Sequence, residues 1–510
     1  MMNLKKRWAM KKNNKFVSLQ QAFNLRKKNQ HYRASAVFPI FLTKFNDFFL
    51  VFFNYWTNKN FIKVTSLNLR IHIYNQDGNL IKDFNTNISK EHNQFSMHSI
   101  LEKKYFKLFF SGTIFVEIIS FENLSFPFPA IIGVYRSKNL YSSVHSAGRI
   151  KNLNEVHNIF YTKETNWTCK FEKGITPFFH YFVGPTTPKK NYITVTLLSS
   201  SKKIKKRKKI NIKNLKAFSS RIFFIKEIFG NIKYLNSDFV SVEVEHNSTF
   251  PRMVVGNFHK KTNFFETTHS FPFIEKKDYC PKIKGKNFQS KLSAYKDKDL
   301  QLNLKLFPTN CLGRFKGKIY KKKIKQSKLS YTGETIDYNF KNLSKVNILK
   351  LEKDDQILGI KMLGNEVPSR FNASFIYKVD GVKSNYSLDI ADGARSCITP
   401  GKTSHWGHGY IGEKFETVIM IINDNHKIEN KYKASGELSI YSSKFMIKTK
   451  IIIEPDSIKI LKISKIKKIK SLTKKYKFFS WFLKMESPGC EAFWLSYRKN
   501  DGAIFGDHSF

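Results

Sequence analysis

Residues 112–149 contain GTIFVEII (112–119), FPFPAIIGVY (126–135) and VHSAGR (144–149). The first two are β-branched and aromatic runs, the composition of strands. The prolines at 127 and 129 mark the turn between them, because proline fixes φ and cannot donate inside a central ladder. A polar loop follows, then a short segment carrying His145, Ser146 and Arg149.

The same order returns three times. The second copy reads FVSVEVE (239–245), FPRMVVGNF (250–258) and THSFP (268–272). A third reads ILGIKM (357–362) and PSRFNASFIY (368–377), with Asp389 to Arg395 in the closing place and no His-Ser pair. The fourth reads FLKMESP (482–488), EAFWLSY (491–497) and GDHSF (506–510). From Gly133 to His145 is 12 residues, from Gly256 to His269 is 13, and from Tyr497 to His508 is 11. A recurring spacing of this kind is the mark of a repeated structural unit.

Outside the signature, period two dominates. Leu67, Leu69, Ile71 and Ile73 alternate with Asn68, Arg70, His72 and Tyr74, and Val240, Val242 and Val244 with Ser241, Glu243 and Glu245. One face of each such segment is apolar and the other wet. Asp77-Gly78, Asp380-Gly381 and Asp501-Gly502 supply tight-turn signals. Ile460, Ile463, Ile466 and Ile469 have helical spacing but lie in a lysine-rich stretch that suits an extended, charged edge equally well. The chain is therefore expected to be mainly β: about four diverged copies of an antiparallel β-sandwich, Ig-like or jelly-roll-like, in tandem. The expected boundaries are a basic tail at 1–35 and units at 36–165, 166–290, 291–410 and 411–510.

Composition bounds the class. With 41% hydrophobic and 15% aromatic residues, 510 residues can bury several cores. A mean hydropathy of −0.39 argues against a multi-span membrane protein. The most apolar window, Val37 to Trp56, is interrupted by Lys44, Asn46, Asp47 and Asn54 and reads as strands, not as a transmembrane segment. The five cysteines, Cys169, Cys280, Cys311, Cys397 and Cys490, are odd in number and widely spaced, as in a reducing compartment. No apolar stretch of secretory type follows the basic N-terminus, so the expected setting is cytoplasmic.

The net charge is +50, and 76 of the 89 basic residues are lysine. Scarce arginine weakens an argument for base or phosphate recognition, because the guanidinium fork is the bidentate donor. The placement of charge is more telling than its sum: residues 1–28, 202–216, 316–328 and 459–477 hold 34 basic residues and no acid. These blocks read as solvated connections, the last three as one equivalent inter-strand loop, or as a polyanion-binding face through Lys205, Lys206, Arg207, Lys208, Lys322, Lys323, Lys467 and Lys468.

Three constellations could carry chemistry. The first is the repeated motif His145-Ser146 with Arg149, His269-Ser270 and His508-Ser509. Neighbours on a strand point to opposite faces, so such a pair is no ready base and nucleophile, and a structural role is expected. The second is Cys397, His405 and His408, a candidate metal site whose spacing matches no standard zinc module. The third is aromatic: Trp406 and Tyr410 beside His405 and His408 in a Gly-rich loop, with Tyr55 and Trp56 as a second cluster, would suit sugar rings. No GxGxxG, GxxxxGK[ST] or HExxH is present, so nucleotide-driven chemistry is improbable and no cofactor is expected. The expected function is a non-catalytic binding or scaffold protein with a glycan or glycan-pathway partner. The alternatives are binding of nucleic acid or an anionic surface through the lysines, and a hydrolase or metal enzyme.

Overall fold

The computed structural model describes residues 8–10, 16–18, 33–56, 58, 67–120, 131–145, 149–150, 159–188, 190–199, 205–230, 239–272, 288–306, 316–325, 328–330, 336–339, 347–350, 357–364, 370–396, 403–423, 433–454, 457–466, 469, 478–486 and 490–509. Every described ladder is antiparallel. Strands β1 (Trp8–Met10) and β2 (Phe16–Ser18) pair with each other. The rest builds four sandwich-like units on one plan.

The first uses β3 (Arg33–Leu42), β4 (Asn46–Phe53), β5 (Leu67–Asn75), β6 (Leu80–Ile88), β7 (His92–Ser96), β8 (Phe110–Ile119), β9 (Ile131–Ser137), β10 (Leu140–His145) and β11 (Arg149–Ile150). Its sheets run β11-β3-β8-β5-β6 and β10-β9-β4-β7. The second uses β12 (Phe160–Asn166), β13 (Ile175–Phe182), β14 (Tyr192–Ser199), β15 (Lys205–Asn211), β16 (Ser220–Phe224), β17 (Phe239–Ser248), β18 (Val254–His259), β19 (Phe264–His269) and β20 (Phe271–Pro272). Its sheets, β20-β12-β17-β14-β15 and β19-β18-β13-β16, repeat the first order position by position. Eight main strands in two four-stranded sheets is the count of a jelly roll and not of a seven-stranded immunoglobulin sandwich.

The fourth follows the same order with β30 (Ser404–Tyr410), β31 (Glu416–Asn423), β32 (Ala434–Tyr441), β33 (Met446–Ile453), β34 (Ser457–Lys462), β35 (Phe478–Met485), β36 (Cys490–Tyr497) and β37 (Ile504–His508). The third consists of β21 (Phe288–Tyr295), β22 (Leu300–Leu306), β23 (Lys316–Lys325), β24 (Lys328–Ser330), β25 (Ile336–Asn339), β26 (Asn347–Lys350), β27 (Ile357–Gly364), β28 (Arg370–Val379) and β29 (Leu388–Ser396). There the closing strand is uninterrupted. Strand β29 pairs β28 along its length and then reaches β21 at Arg395 and Ser396, which joins the two halves into one nine-stranded sheet.

Alternation explains the layers. In β5 the apolar positions Leu67, Leu69, Ile71 and Ile73 are buried and the residues between them are half-exposed. The second core is Ile193, Val195 and Leu197 against Val242, Val244, Phe179 and Val255. Each such fully buried side chain is worth about 1.5–3 kcal/mol. Glycine enters where backbones crowd. A Cβ on Gly256, at φ +153°, would sit 1.9 Å from the Glu266 carbonyl oxygen.

The lysine blocks are not one equivalent loop. They contribute the fourth strand of the second sandwich (β15), the third strand of the third (β23) and the fifth of the fourth (β34). Of the isoleucines at 460–469, Ile460 lies in β34 and Ile463 opens a 3-10 turn, Ile463–Lys465, so this described part is a charged strand followed by a turn. Among the described residues no helix is long and apolar enough to cross a membrane. Val37 to Phe53 forms part of β3, the whole of β4 and the turn between them, and Asn54 to Trp56 follow β4.

The chain divides into two compact units, residues 29–273 and residues 274–510 with 1–28. Each holds two sandwiches docked in the same manner. In 29–273, Ser142 of β10 meets Thr267 of β19: its hydroxyl accepts the Thr267 N–H at 2.8 Å, so two sheet edges cover each other. The Asn46 amide donates to the Asn263 carbonyl, and Ser137 Oγ to that of Thr262. In 274–510, β37 lies against β29, and Asp297 and Asp299 of the β21–β22 turn meet Tyr497 and Lys499 beside the β36–β37 turn.

Candidate functional site

The repeated signature does structural work. Ser270 Oγ donates to Glu164 Oε2 at 2.6 Å and accepts the Met253 N–H at 2.8 Å, while the Ser270 N–H donates to the Met253 carbonyl. In the fourth sandwich the Ser509 N–H donates to the Ala492 carbonyl, and Ser509 Oγ is 2.9 Å from His405 Nδ1. Glu164 and His405 both lie on the first strand of their sandwich, so each serine ties the closing segment back to that strand. Tyrosines of the seventh strand make a matching tie. Tyr135 donates to the Pro39 carbonyl at 2.7 Å and Tyr377 to that of Tyr295 at 2.8 Å.

The imidazoles turn away from their serines. His269 Nδ1 faces the Ser270 carbonyl at 2.9 Å, and His508 Nδ1 the Ser509 carbonyl at 3.0 Å. His145 and His269 are buried edge-to-face, ring centroids 4.3 Å apart. Ser146 and the Arg149 side chain lie outside the described residues. Neither Ser270 nor Ser509 is hydrogen-bonded to the imidazole preceding it, which is not the geometry of a base activating a nucleophile.

The segment read as an exposed Gly-rich loop is a buried strand. His405, Trp406, His408 and Tyr410 are all buried in β30. Its glycines admit rings: a Cβ on Gly407 would meet Trp481 and Trp494 within 2.8 Å, and one on Gly409 would meet Phe479. Trp406 and Tyr410 therefore offer no sugar platform. Tyr55 and Trp56 stack on each other at 4.6 Å inside the first sandwich and offer none either. Nor does the strand bring two metal ligands together. His405 and His408 are three residues apart and project to opposite faces, where Ser509 and Ser480 engage their Nδ1 atoms at 2.9 and 3.0 Å. Cys397 lies outside the described residues.

The second sandwich carries a concave surface that the sequence did not single out. Strands β12, β17, β14 and β15 lie side by side, with Lys163, Glu245, Thr194 and Lys209 forming one row across them. Inward residues fill the core, so the alternate set faces water. Tyr161 and Tyr192, 59% and 39% exposed, flank a depression of about 420 Å³ lined also by Lys190, Thr194, Arg207, Lys209, Glu245 and Asn247. Lys190 stands 4.6 Å over the Tyr161 ring and Lys209 4.9 Å over that of Tyr192. Glu245 Oε2 accepts from Tyr161 at 3.2 Å and pairs with Arg207 at 3.3 Å. Burial, then the Glu245 charge and hydrogen bond, push the Tyr161 phenol above its ordinary range.

Of the lysine-block residues, Lys206, Arg207 and Lys208 are exposed on β15, the edge strand of this sheet, and Arg207 enters the depression. Lys205, Lys322 and Lys323 lie on strands whose side chains are not described there, and Lys467 and Lys468 lie outside the described residues. The signal for this surface was present: FYTKETN (160–166) and YITVTLLS (192–199) each put a tyrosine on the wet side of an alternating strand. No protein-family profile and no curated protein sequence matches the chain.

Proposed function

We propose that the chain is a non-catalytic binding and scaffolding protein and that the outer face of the second sandwich holds an acidic glycan. The observation that carries the reading is the pair of exposed tyrosines beside Arg207, Lys190, Lys209, Glu245 and Asn247 in one depression. Aromatic faces take the C–H side of a sugar ring, and an arginine fork takes a carboxylate or sulfate bidentately. Glu245 and Asn247 supply the acceptors and donors that hydroxyl groups need. A reducing, cytoplasmic setting belongs to the proposal, and the free thiols of half-buried Cys169 and buried Cys490 accord with it.

Single-stranded nucleic acid is the second reading, favoured by the consecutive exposed cations Lys206 to Lys209 along an edge strand. It is less well served by Glu245, which would face the phosphates. Lysine on an edge strand also guards against edge-to-edge pairing, a role that needs no ligand.

The test is titration calorimetry of the whole protein with uronic-acid or sulfated oligosaccharides, with neutral ones and with single-stranded oligonucleotides. Binding of the acidic sugars, weakened at least about tenfold by Tyr161→Ala with Tyr192→Ala, is expected from the loss of two stacking faces. No binding, or acidic-sugar binding indifferent to both tyrosines, refutes the assignment. Preferential oligonucleotide binding that weakens steeply with salt selects the second reading.

A further inference from the structure

The connection between the fifth and sixth strands opens in three sandwiches with a short helical turn that buries an apolar side chain. In the second sandwich it opens with helix α3 (Ile225–Phe229), which buries Ile225 and Ile228. In the fourth it opens with the 3-10 turn, which buries Ile463. The first sandwich begins alike, with helix α1 (Met97–Ile100) burying Met97 and with Leu101 buried after it. It then adds helix α2 (Lys103–Phe106), which buries nothing, and Lys107, Leu108 and Phe109. Leu108 is 86% exposed and Phe109 62% exposed.

Two adjacent large apolar side chains held in water are unfavourable, by an amount set by the apolar area left unburied. Their surroundings are basic. Lys103, Lys104 and Lys107 are exposed beside them, and only Lys104 has an acidic partner in the segment, Glu102 at 2.8 Å. The strand register places a second apolar tip at the same end of the sandwich. Leu42 pairs with Phe110, and Asn46 with Ser137, so the β3–β4 turn, the β9–β10 turn and the α2–β8 connection all emerge there. Phe45 of the β3–β4 turn is 57% exposed, with Lys44 4.8 Å and Lys138 5.9 Å from its ring. Among the described residues of these three connections, five lysines stand against Glu102.

We propose that this end of the first sandwich docks on an anionic lipid bilayer, with Leu108 and Phe109 entering the headgroup–acyl boundary. Apolar tips within a lysine collar are the two halves of interfacial binding: the tips gain by leaving water, and the ammonium groups gain at the negative surface. A neutral apolar partner would leave the lysines unanswered, and a second copy of so basic a chain would bring like charges together. The site is separate from the glycan surface and does not rest on it.

The test is sedimentation of the full chain with phosphatidylcholine vesicles, with and without phosphatidylserine. Because the whole chain is strongly basic, charge alone could carry it to anionic vesicles, so the deciding variant leaves charge unchanged. Leu108→Ser with Phe109→Ser removes only exposed apolar atoms and leaves the circular dichroism spectrum as it was. Binding to the phosphatidylserine vesicles alone, weakened at least about tenfold by this double variant, is the expected result. Equal pelleting of parent and variant overturns the proposal, because the attraction is then electrostatic only. Failure of the parent to pellet overturns it too. So does self-association in light scattering that the variant abolishes, which would assign the tips to a second copy.

Discussion

The two compact units dock their sandwiches at corresponding places with a different balance of chemistry. In residues 29–273 the contact is mainly aromatic, with one ion pair, Arg221 to Asp77 at 3.1 Å, at its exposed margin. Phe41 of the first sandwich stacks on Phe265 of the second at 3.5 Å, and Val37, Tyr74 and Phe115 close over Phe182 and Phe250. In residues 274–510 the β21–β22 turn is mainly ionic, Asp297 and Asp299 receiving Tyr497, Lys462 and Lys499, and one ring contact, Phe375 with Phe493 at 6.4 Å, accompanies it. A repeated module thus constrains where its copies touch and leaves the means open. Rings gain by burial, which salt and acid leave intact. Partly buried ion pairs gain only while the carboxylates stay charged.

The largest effect should come from breaking the aromatic side. Phe265→Ala removes a buried ring shared by both sandwiches, and chemical unfolding should show a loss of about 3–5 kcal/mol, the usual cost of Phe→Ala in a core. A loss under about 1 kcal/mol would mean that the stack contributes little and the two interfaces do not differ as described.

Acid should separate the two units. Burial alone would raise the Asp299 pKa, but hydrogen bonds from Lys499 and Tyr497 and the charges of Lys499 and Lys462 outweigh it and hold the carboxyl below its ordinary 3.8. A depressed carboxyl contributes stability that is present above its unfolded pKa and lost as pH falls through the folded value. Protection from hydrogen exchange near β22 and β36, taken relative to the intrinsic rate at each pH, should therefore fall as pH drops below about 4. The aromatic contact should stay protected there, since buried His180, which meets Thr113 at 3.0 Å, is held by desolvation down to about 3 and remains neutral. Equal acid sensitivity on both sides would erase the contrast.

A smaller effect sharpens the role given to the signature serine. Burial raises Glu164 to about 7 against the lowering influence of Ser270, Arg252 and Thr162. A raised carboxyl contributes most below its unfolded pKa of 4.5, and that contribution is lost as pH rises through about 7. Glu164→Gln keeps an acceptor for Ser270 Oγ without a charge to desolvate. The variant should match the parent near pH 5 and exceed it by about 1–2 kcal/mol at pH 8. A variant less stable at pH 8 would show that the ionised carboxylate holds the closing segment.

Much of this architecture was legible in the sequence. Alternation in Leu67–Ile73 and the spacing from Gly133 to His145, repeated from Gly256 to His269, announced strands and a copied unit because side-chain period and turn chemistry are local. The candidate surfaces were read less well. Gly407 and Gly409 resemble loop residues until Trp481, Trp494 and Phe479 are brought onto them from distant strands. Lysine blocks resemble loops for a similar reason: charge reports contact with water, and an edge strand such as β15 meets water without leaving its sheet. Tyr161 and Tyr192 are 31 residues apart, and only the strand β17 between them makes them neighbours.

If one module is used in docked pairs, residues 29–273 expressed alone should fold as a complete pair. Calorimetry of that fragment should show a monomer unfolding in a single cooperative transition, both sandwiches together. Two separated transitions, or a fragment that aggregates without one, would contradict the account.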